Sequence, residues 1–142
     1  MIIWLTGAPG AGKTTIARAL ALAVGSAAIL DGDDVRTWLT PDCDYSTEGR
    51  LRHAWRVWNV ARLINRVGGT AIVALMAHPP LTVDFPVDLL VWVDGPPRKP
   101  LWPGTTYQPP SHFDLRLDTE GLSVEECALA IIKRLPAFRV VA

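Results

Sequence analysis

Residues 7–14 read Gly7-Ala8-Pro9-Gly10-Ala11-Gly12-Lys13-Thr14, which fits the pattern G-x-x-x-x-G-K-[ST] at each required position. The glycines permit a tight turn whose backbone N–H groups point inward at phosphate oxygens. Those donors lie at the start of a helix, where the dipole favours negative charge. The stretch therefore predicts a loop that holds a nucleoside triphosphate. Its spacing does not match the dinucleotide pattern G-x-G-x-x-G.

The last two residues of this stretch carry specific chemistry. Lys13 is expected to reach the β- and γ-phosphates of the nucleotide, and the Thr14 hydroxyl to ligate Mg²⁺. An apolar run, Ile2 to Leu5, precedes the loop, and an alanine-rich run with helical spacing follows it. Because a strand before and a helix after are the context that this motif requires, we favour a triphosphate site over a plain glycine turn. We expect ATP as the nucleotide, held by residues 7–14 and Thr15.

Strand-like and helix-like runs alternate along the rest of the chain, and Ser123 and Glu126 have the spacing of a helix-starting capping box. The strands are expected at residues 2–5, 27–30, 70–76, 88–93 and 114–117, and the helices at residues 12–24, from Ser46 or Thr47 to about Val67, and from Ser123 onward. Such alternation produces parallel sheets that are covered on both faces. We predict one domain over residues 1–142, with a three-layer α/β/α P-loop fold and a five-stranded parallel sheet.

The composition argues against several classes of protein. Basic and acidic residues number 14 each, so the net charge indicates no particular partner. With only Cys43 and Cys127, a disulfide scaffold or a structural zinc site is not expected. No apolar run approaches the roughly 18 residues of a membrane-spanning helix, and the N-terminus reads as a strand rather than a secretion signal. We therefore expect a cytoplasmic protein without a membrane partner.

A second motif follows the second predicted strand and reads Leu30-Asp31-Gly32-Asp33-Asp34-Val35-Arg36. Ligands of parallel sheets bind at the carboxyl ends of the strands, so these carboxylates are expected to face the phosphate loop. Phosphoryl transfer needs a metal ion that neutralises charge and a carboxylate near the acceptor hydroxyl. Asp31 and Asp33 are the candidates, and which of them is the base stays open. The alternative is a helix cap, an interpretation that suits Asp34.

The phosphate loop with Thr15, residues 31–36 and the segment Tyr45-Ser46-Thr47-Glu48-Gly49-Arg50 together resemble the adenylylsulfate kinase family. Residues 107–110 and 117–119 resemble the end of that family, so the likeness covers most of the chain. It implies a P-loop kinase that uses ATP and Mg²⁺ to phosphorylate a hydroxyl group. The implied catalytic residues are Lys13, Asp31 and Asp33, and the implied metal ligands are Thr14 and Asp31. The implied acceptor contacts are Arg36, Tyr45 on the acceptor base, Ser46, Arg50, His53 and Arg56.

The chain departs from the family pattern at several positions. Family members usually have Glu-Asp-Arg where this chain has Glu48-Gly49-Arg50, and an asparagine where it has His53. After the third strand they have Ser-Pro-Tyr in place of His78-Pro79-Pro80. A lid segment follows the fourth strand in the family. Here a short proline-rich turn, which contains Arg98 and Lys99, replaces it.

The missing lid bears on the identity of the acceptor. A lid excludes water and closes over a small acceptor, so its loss suits an acceptor too large to be enclosed. The short form also resembles bacteriophage kinases that phosphorylate 5-hydroxymethyluracil in DNA, which would act in the host cytoplasm. Arg52, Trp55 and Trp58 lie on the adjoining helix, and such a mixture of basic and planar groups suits a phosphate backbone and stacked bases.

From the sequence alone, hydroxymethylated DNA is therefore the favoured acceptor. Adenylyl sulfate itself is the first alternative, and a nucleotide-binding protein without transfer activity is the second. For the basic residues of the helix, a solvated surface with tryptophans turned to the core also stays open.

Six more residues have open or structural roles. His78 could assist proton movement near the γ-phosphate or serve only as a loop residue. Arg98 and Lys99 could stabilise transferred charge or belong to a surface turn. Trp4, Trp38 and Trp92 are predicted to lie in the core.

Overall fold

The computed structural model describes residues 1–76, 86–98, 100 and 106–136. Strands and helices alternate through most of this part of the chain. The strands are β1 (Ile2–Thr6), β2 (Ala28–Asp31), β3 (Ala71–Leu75), β4 (Leu89–Asp94) and β5 (Leu115–Asp118). The helices are α1 (Lys13–Val24), α2 (Gly32–Trp38), α3 (Thr47–Arg66) and α4 (Val124–Arg134).

The five strands form one sheet in the order β2-β3-β1-β4-β5, and all neighbouring pairs are parallel. β1 is central, with Thr6 opposite Leu75 of β3 on one side and opposite Trp92 of β4 on the other. The carboxyl end of β1 therefore lies between two other strand ends, which places the phosphate loop in the middle of the sheet edge. The predicted five-stranded parallel sheet is confirmed.

Both faces of the sheet are covered, because alternate residues of β1 point to opposite layers. Ile3 and Leu5 pack in a buried cluster with Ile16 of α1 and Ile131 of α4. On the other face, a second buried cluster contains Ile2, Trp4, Val57, Trp58 and Leu90. Since each face buries its own apolar cluster, the three-layer α/β/α prediction is confirmed and α1 is held firmly behind the phosphate loop.

One predicted loop is a helix. Residues 31–36 were expected to follow β2 as an acidic loop, whereas α2 begins at Gly32 directly after the strand. Asp31 is its N-cap, with Oδ1 accepting a hydrogen bond of 3.1 Å from the backbone N–H of Asp33. The capping alternative is therefore correct for the start of the motif, although the capping residue is Asp31 and not Asp34.

The three tryptophans that were predicted to lie in the core differ in their burial. Trp4 is fully buried, as expected. The prediction for Trp38 is wrong, because this side chain is 85% exposed at the end of α2, a short helix that buries only Val35. Trp92 is half-buried and stacks at a tilt on Phe113, with 5.5 Å between the ring centroids. The exposed aromatic surface near α2 is thus larger than the sequence indicated.

Helix starts follow the predicted caps. The Ser46 side chain accepts a hydrogen bond from the Gly49 N–H and begins α3. Ser123 and Glu126 form the predicted capping box at the start of α4. Among the described residues, no helix combines the length and hydrophobicity needed to cross a membrane.

Candidate active site

The phosphate loop joins the end of β1 to α1, and its shape depends on glycine. Gly10 has a φ of 75°, a value that side chains strongly disfavour. A Cβ atom there would also lie 2.8 Å from the Cβ of Arg98. Gly7 is close-packed in another way, because a Cβ atom on it would lie 2.5 Å from the carbonyl oxygen of Val93. The phosphate loop therefore packs closely against the end of β4 and against the turn that follows this strand.

Lys13 folds over this loop. Its Nζ donates hydrogen bonds of 2.8 Å to the carbonyl oxygens of both Gly7 and Ala8. Because Lys13 is the first residue of α1, its ammonium group and the helix N-terminus add positive potential at the same point. This arrangement suits an anionic ligand above the loop, which is where the motif predicted the nucleotide phosphates.

Thr14 and Asp31 are brought together, although 16 residues separate them in the chain. The Thr14 hydroxyl donates a hydrogen bond to Oδ2 of Asp31, while Oδ1 of Asp31 caps α2. A hydroxyl and a carboxylate at contact distance beside a phosphate loop are a donor set that Mg²⁺ accepts, with phosphate oxygens and water as its other ligands. The residues present therefore fit the metal that the motif implies.

The described side chains do not form a complete metal site by themselves. Within the described ranges, no group of three or more histidine, cysteine, aspartate or glutamate side chains is placed to hold an ion. A magnesium ion held by Thr14 and Asp31 would take phosphate oxygens and water as its other ligands, as is usual in phosphate-transfer sites.

Asp33 and Asp34 both lie exposed in the first turn of α2. The Asp33 backbone is engaged, since its N–H donates to Asp31 and its carbonyl accepts from the Thr37 hydroxyl at 3.0 Å. Among contacts between described residues, none involves the Asp33 carboxylate. Asp31 has both oxygens occupied, so Asp33 has the more available carboxylate of the two candidates for the base.

The residues predicted to contact the acceptor form the acceptor half of the site, and Arg36 lies at its centre. Its guanidinium carbon lies 4.1 Å from the centroid of the Tyr45 ring, and its Nη1 donates a 2.8 Å hydrogen bond to the Cys43 carbonyl. The loop before α3 is thereby held against α2. Tyr45 remains 45% exposed, so part of its surface is open to a ligand.

Two other predicted acceptor contacts already have protein partners. Arg56 makes hydrogen bonds of 2.6 and 2.8 Å to the two carboxylate oxygens of Asp42. This bond from Arg56 lowers the pKa of Asp42 to about 2. The Ser46 hydroxyl donates to Asp44 while accepting from the Gly49 N–H. Arg50 is half-buried in the first turn of α3, on the residue after Gly49. Roles for these residues in acceptor binding stay predictions.

His53 is placed differently from its neighbours. It is only 4% exposed, and its Nδ1 lies 2.7 Å from the Thr40 hydroxyl. Burial, together with the nearby charge of Arg36, lowers the pKa of His53 to about 4. The side chain packs α3 against the end of α2 beneath the acceptor surface. Direct contact between His53 and an acceptor stays a prediction that this position does not favour.

A contact at the end of β1 was not expected from the sequence. Thr6 is fully buried, and its hydroxyl donates a 2.9 Å hydrogen bond to the Met76 carbonyl. The Tyr107 hydroxyl lies 3.2 Å from the same Thr6 oxygen. A threonine directly before the loop glycine was the available signal, but only the fold shows its partners.

The turn after β4 also touches the phosphate loop. The Arg98 backbone N–H donates a 2.9 Å hydrogen bond to the carbonyl of Pro9. Whether the Arg98 side chain stabilises transferred charge or only belongs to a surface turn stays open. His78 and Lys99, whose roles are also open, lie outside the described residues.

The fold, the loop and the carboxylate beside it define a P-loop nucleotide-binding domain of the kinase type. The family model for adenylylsulphate kinase matches residues 1–82, which is more than half of the chain. An adenylyl-sulfate kinase from Chloroflexus aurantiacus is 34% identical over 167 aligned positions, covering 95% of this chain and 90% of the relative. The chain therefore belongs to the adenylylsulphate kinase family. The resemblance seen in the sequence is confirmed, and so is the prediction of an ATP-dependent kinase with a hydroxyl acceptor.

Other relatives and solved structures agree. An adenylyl-sulfate kinase from Myxococcus xanthus is 42% identical over 79 residues, a match that spans 54% of this chain and 43% of the relative. A Mycobacterium tuberculosis APS kinase in complex with AMPPNP and APS superposes with a TM-score of 0.75 at 27% identity, covering 94% of this chain and 95% of that one. A hexameric APS kinase from Thiobacillus denitrificans gives a TM-score of 0.69 at 26% identity, covering 94% of this chain and 28% of that one.

The alignment with the Chloroflexus relative extends over 167 positions, more than the 142 residues of this chain. That relative therefore has residues with no counterpart here. That the shortened segment is the lid after the fourth strand stays a prediction.

His53 makes the stability of the fold depend on pH. Its folded-state pKa of about 4 lies below the ordinary value of 6.5, so the unfolded chain takes up the proton first as the pH falls. The contribution of His53 is complete above pH 6.5 and is lost toward pH 4. Between pH 7 and about pH 4.5 we expect a loss of roughly 2–3 kcal/mol of unfolding free energy from this residue.

Urea unfolding at several pH values measures this effect in the wild-type chain and in His53→Asn. The variant lacks the titrating group, so the unfolding free energy of the wild type minus that of the variant should decrease as the pH falls. Parallel pH profiles would show that His53 is not responsible.

Proposed function

We propose that this protein transfers the γ-phosphate of ATP to a hydroxyl group of adenylyl sulfate. The observation that carries the proposal is the contact between Thr14 and Asp31 beside the phosphate loop, with Arg36 and Tyr45 beyond it on α2 and the following loop. Relatives that cover nearly the whole chain are adenylyl-sulfate kinases, and this reverses the preference for DNA that the sequence alone gave.

Each residue of the nucleotide half has a role in this proposal. The backbone N–H groups of residues 8–14, except Pro9, which has none, and the Lys13 ammonium hold the β- and γ-phosphates. Thr14 and Asp31 hold Mg²⁺, which when bound neutralises charge on the phosphate oxygens. Thr15 and the N-terminus of α1 add donors at the same place.

On the acceptor half, the hydroxyl oxygen attacks the γ-phosphorus as the bond to the β,γ-bridging oxygen breaks and ADP leaves. Asp33 accepts the hydroxyl proton, because its carboxylate is the one that other described groups leave available. Tyr45 packs on the base of the acceptor, and Arg36 and Arg50 orient its charged group. Arg56 can join them only by exchanging Asp42 for the acceptor.

A second candidate acceptor is the hydroxymethyl group of 5-hydroxymethyluracil in DNA. The observation in its favour is the exposed aromatic and basic surface of α2 and α3, where Trp38 is 85% and Trp55 is 53% exposed and Arg52 is also exposed. Bases stack on exposed aromatic rings, and arginines follow a phosphate backbone. A base in a polymer would be extruded to reach the loop.

One assay separates these acceptors. The chain is supplied with ATP labelled at the γ-phosphate, Mg²⁺, and either adenylyl sulfate or DNA containing 5-hydroxymethyluracil. We expect label on adenylyl sulfate. Label on the DNA alone would establish the second candidate, and label on neither acceptor while ATP binds by calorimetry would indicate a nucleotide-binding protein without transfer.

Three substitutions test the roles in the same assay. Lys13→Ala should abolish transfer, because it removes the ammonium group above the loop. Asp33→Asn should lower kcat by about 10²–10⁴-fold, the usual contribution of a general base, and leave ATP affinity unchanged. Asp31→Asn should raise the Mg²⁺ concentration needed for half-maximal rate.

Asp34→Asn is the matched control for Asp33, since both carboxylates lie exposed in the first turn of α2. It should retain wild-type kcat. If Asp33→Asn behaves like Asp34→Asn, the assignment of the base is wrong.

A further inference from the structure

The cap of α3 is incomplete by the usual pattern. Ser46 is the N-cap, and its hydroxyl oxygen accepts a 3.0 Å hydrogen bond from the N–H of Gly49, the third residue of the helix. In a capping box, the side chain of that third residue also accepts a hydrogen bond from the backbone N–H of the cap. Gly49 has no side chain, so the second half of the box has to come from elsewhere.

Helix α4 of the same protein shows the complete arrangement. There the Glu126 N–H donates to the Ser123 hydroxyl at 3.1 Å, and the Ser123 N–H donates to Oε1 of Glu126 at 3.2 Å. The two helices begin with serine in the same role. They differ in the residue that accepts the hydrogen bond from the backbone N–H of the cap serine.

For α3 that acceptor is Asp44, two residues before the cap. Its Oδ1 accepts a 3.1 Å hydrogen bond from the Ser46 N–H, and the same oxygen accepts the proton of the Ser46 hydroxyl. These two bonds from Ser46, first of all that of the hydroxyl, hold the pKa of Asp44 below its ordinary value. The Asp44 carboxylate thus accepts the hydrogen bond from the backbone N–H of the cap residue, as Glu126 does in α4, but from the loop before the helix.

Asp44 and a side chain at position 49 exclude each other. A Cβ atom on Gly49 would lie 2.1 Å from Oδ1 of Asp44 and 2.4 Å from its carbonyl oxygen. Both distances are far below van der Waals contact, so an aspartate at position 49, the residue that the family pattern has there, would displace Asp44. Glycine at 49 and aspartate at 44 are therefore one structural unit.

This unit fixes the loop that carries Tyr45. Tyr45 lies between Asp44 and Ser46 in the chain, and Arg36 holds the same loop by stacking on the Tyr45 ring and by bonding to the Cys43 carbonyl. Without the Asp44 carboxylate, the backbone on the helix side of Tyr45 would lose its anchor while the Arg36 contacts remain. The loss of this anchor would change the orientation of the ring over the acceptor.

We infer that Asp44 is a positioning residue of the acceptor half, which completes the cap of α3 from the loop and so sets the orientation of Tyr45 against Arg36. The inference rests on the proposed function in one respect, that Tyr45 contacts the acceptor. The exchange of capping carboxylates between positions 44 and 49 does not depend on it.

The test is a cycle of three variants, Asp44→Gly, Gly49→Asp and the double variant. Initial rates give the KM of the acceptor, the KM of ATP and kcat. For Asp44→Gly we expect the acceptor KM to rise at least about tenfold, because both hydrogen bonds from Ser46 to a charged oxygen are lost, with ATP KM unchanged. Gly49→Asp should also raise the acceptor KM, because its side chain displaces Asp44. The double variant removes the clash with the Asp44 carboxylate but keeps the 2.4 Å approach of the new side chain to the carbonyl oxygen of residue 44, so its acceptor KM should rise by less than the two single effects combined.

Glu126→Gly is the matched control, since it removes the equivalent carboxylate from the cap of α4. It should lower the unfolding midpoint without changing the acceptor KM. Asp44→Asn keeps the accepting oxygen and should behave nearly as wild type. The positioning role would be overturned if Asp44→Gly leaves the acceptor KM of an active enzyme unchanged, or changes it no more than Glu126→Gly does.

Urea unfolding of the same four proteins in the cycle separates this inference from the proposed function. If the wild type phosphorylates no acceptor offered, the proposed function fails and the positioning role fails with it. The capping exchange is still decided by unfolding: a double variant destabilised by less than the sum of the two single variants supports it, and additive destabilisation overturns it.

Discussion

The arrangement of the site depends on the contact between Thr14 and Asp31. Thr14 lies in the first turn of α1, which continues from the central strand, and Asp31 ends β2 at the edge of the sheet. β3 lies between them, so the contact reaches across the end of one strand. Because Asp31 also caps α2, a single carboxylate joins the nucleotide loop to the helix that carries Asp33 and Arg36. Displacing it would separate the two halves of the site.

The parts of this structure that could be predicted from the sequence are those set by local pattern. The apolar runs, the glycine spacing of the phosphate loop and the serine caps each contain their own signal, and the strands, α1, α3 and α4 formed close to the expected limits. Trp38 and His53 could not be predicted in the same way. Their surroundings come from segments distant in sequence or from a short helix whose exposed side has no periodic signal.

Charge on the acceptor side is more balanced than the arginines alone indicate. Arg56 is bound by Asp42 through both oxygens. Asp44 lies near enough to Arg36 and Arg52 for their charges to contribute to its lowered pKa. An anionic acceptor therefore has to compete with carboxylates already in place, and surface ion pairs of this kind exchange at little cost. Arginine counts along the sequence overestimate the positive field that such an acceptor would meet.

The short turn after β4 is hydrogen-bonded to the phosphate loop. Its backbone N–H at Arg98 binds the Pro9 carbonyl, and its Cβ lies where any side chain at Gly10 would have to be. Nearby, Thr6 uses its only proton on the Met76 carbonyl, so the Tyr107 hydroxyl must donate to it. Two segments that follow β4 are thus bonded to the loop or to the residue before it. These contacts hold the phosphate loop from the side opposite Asp31.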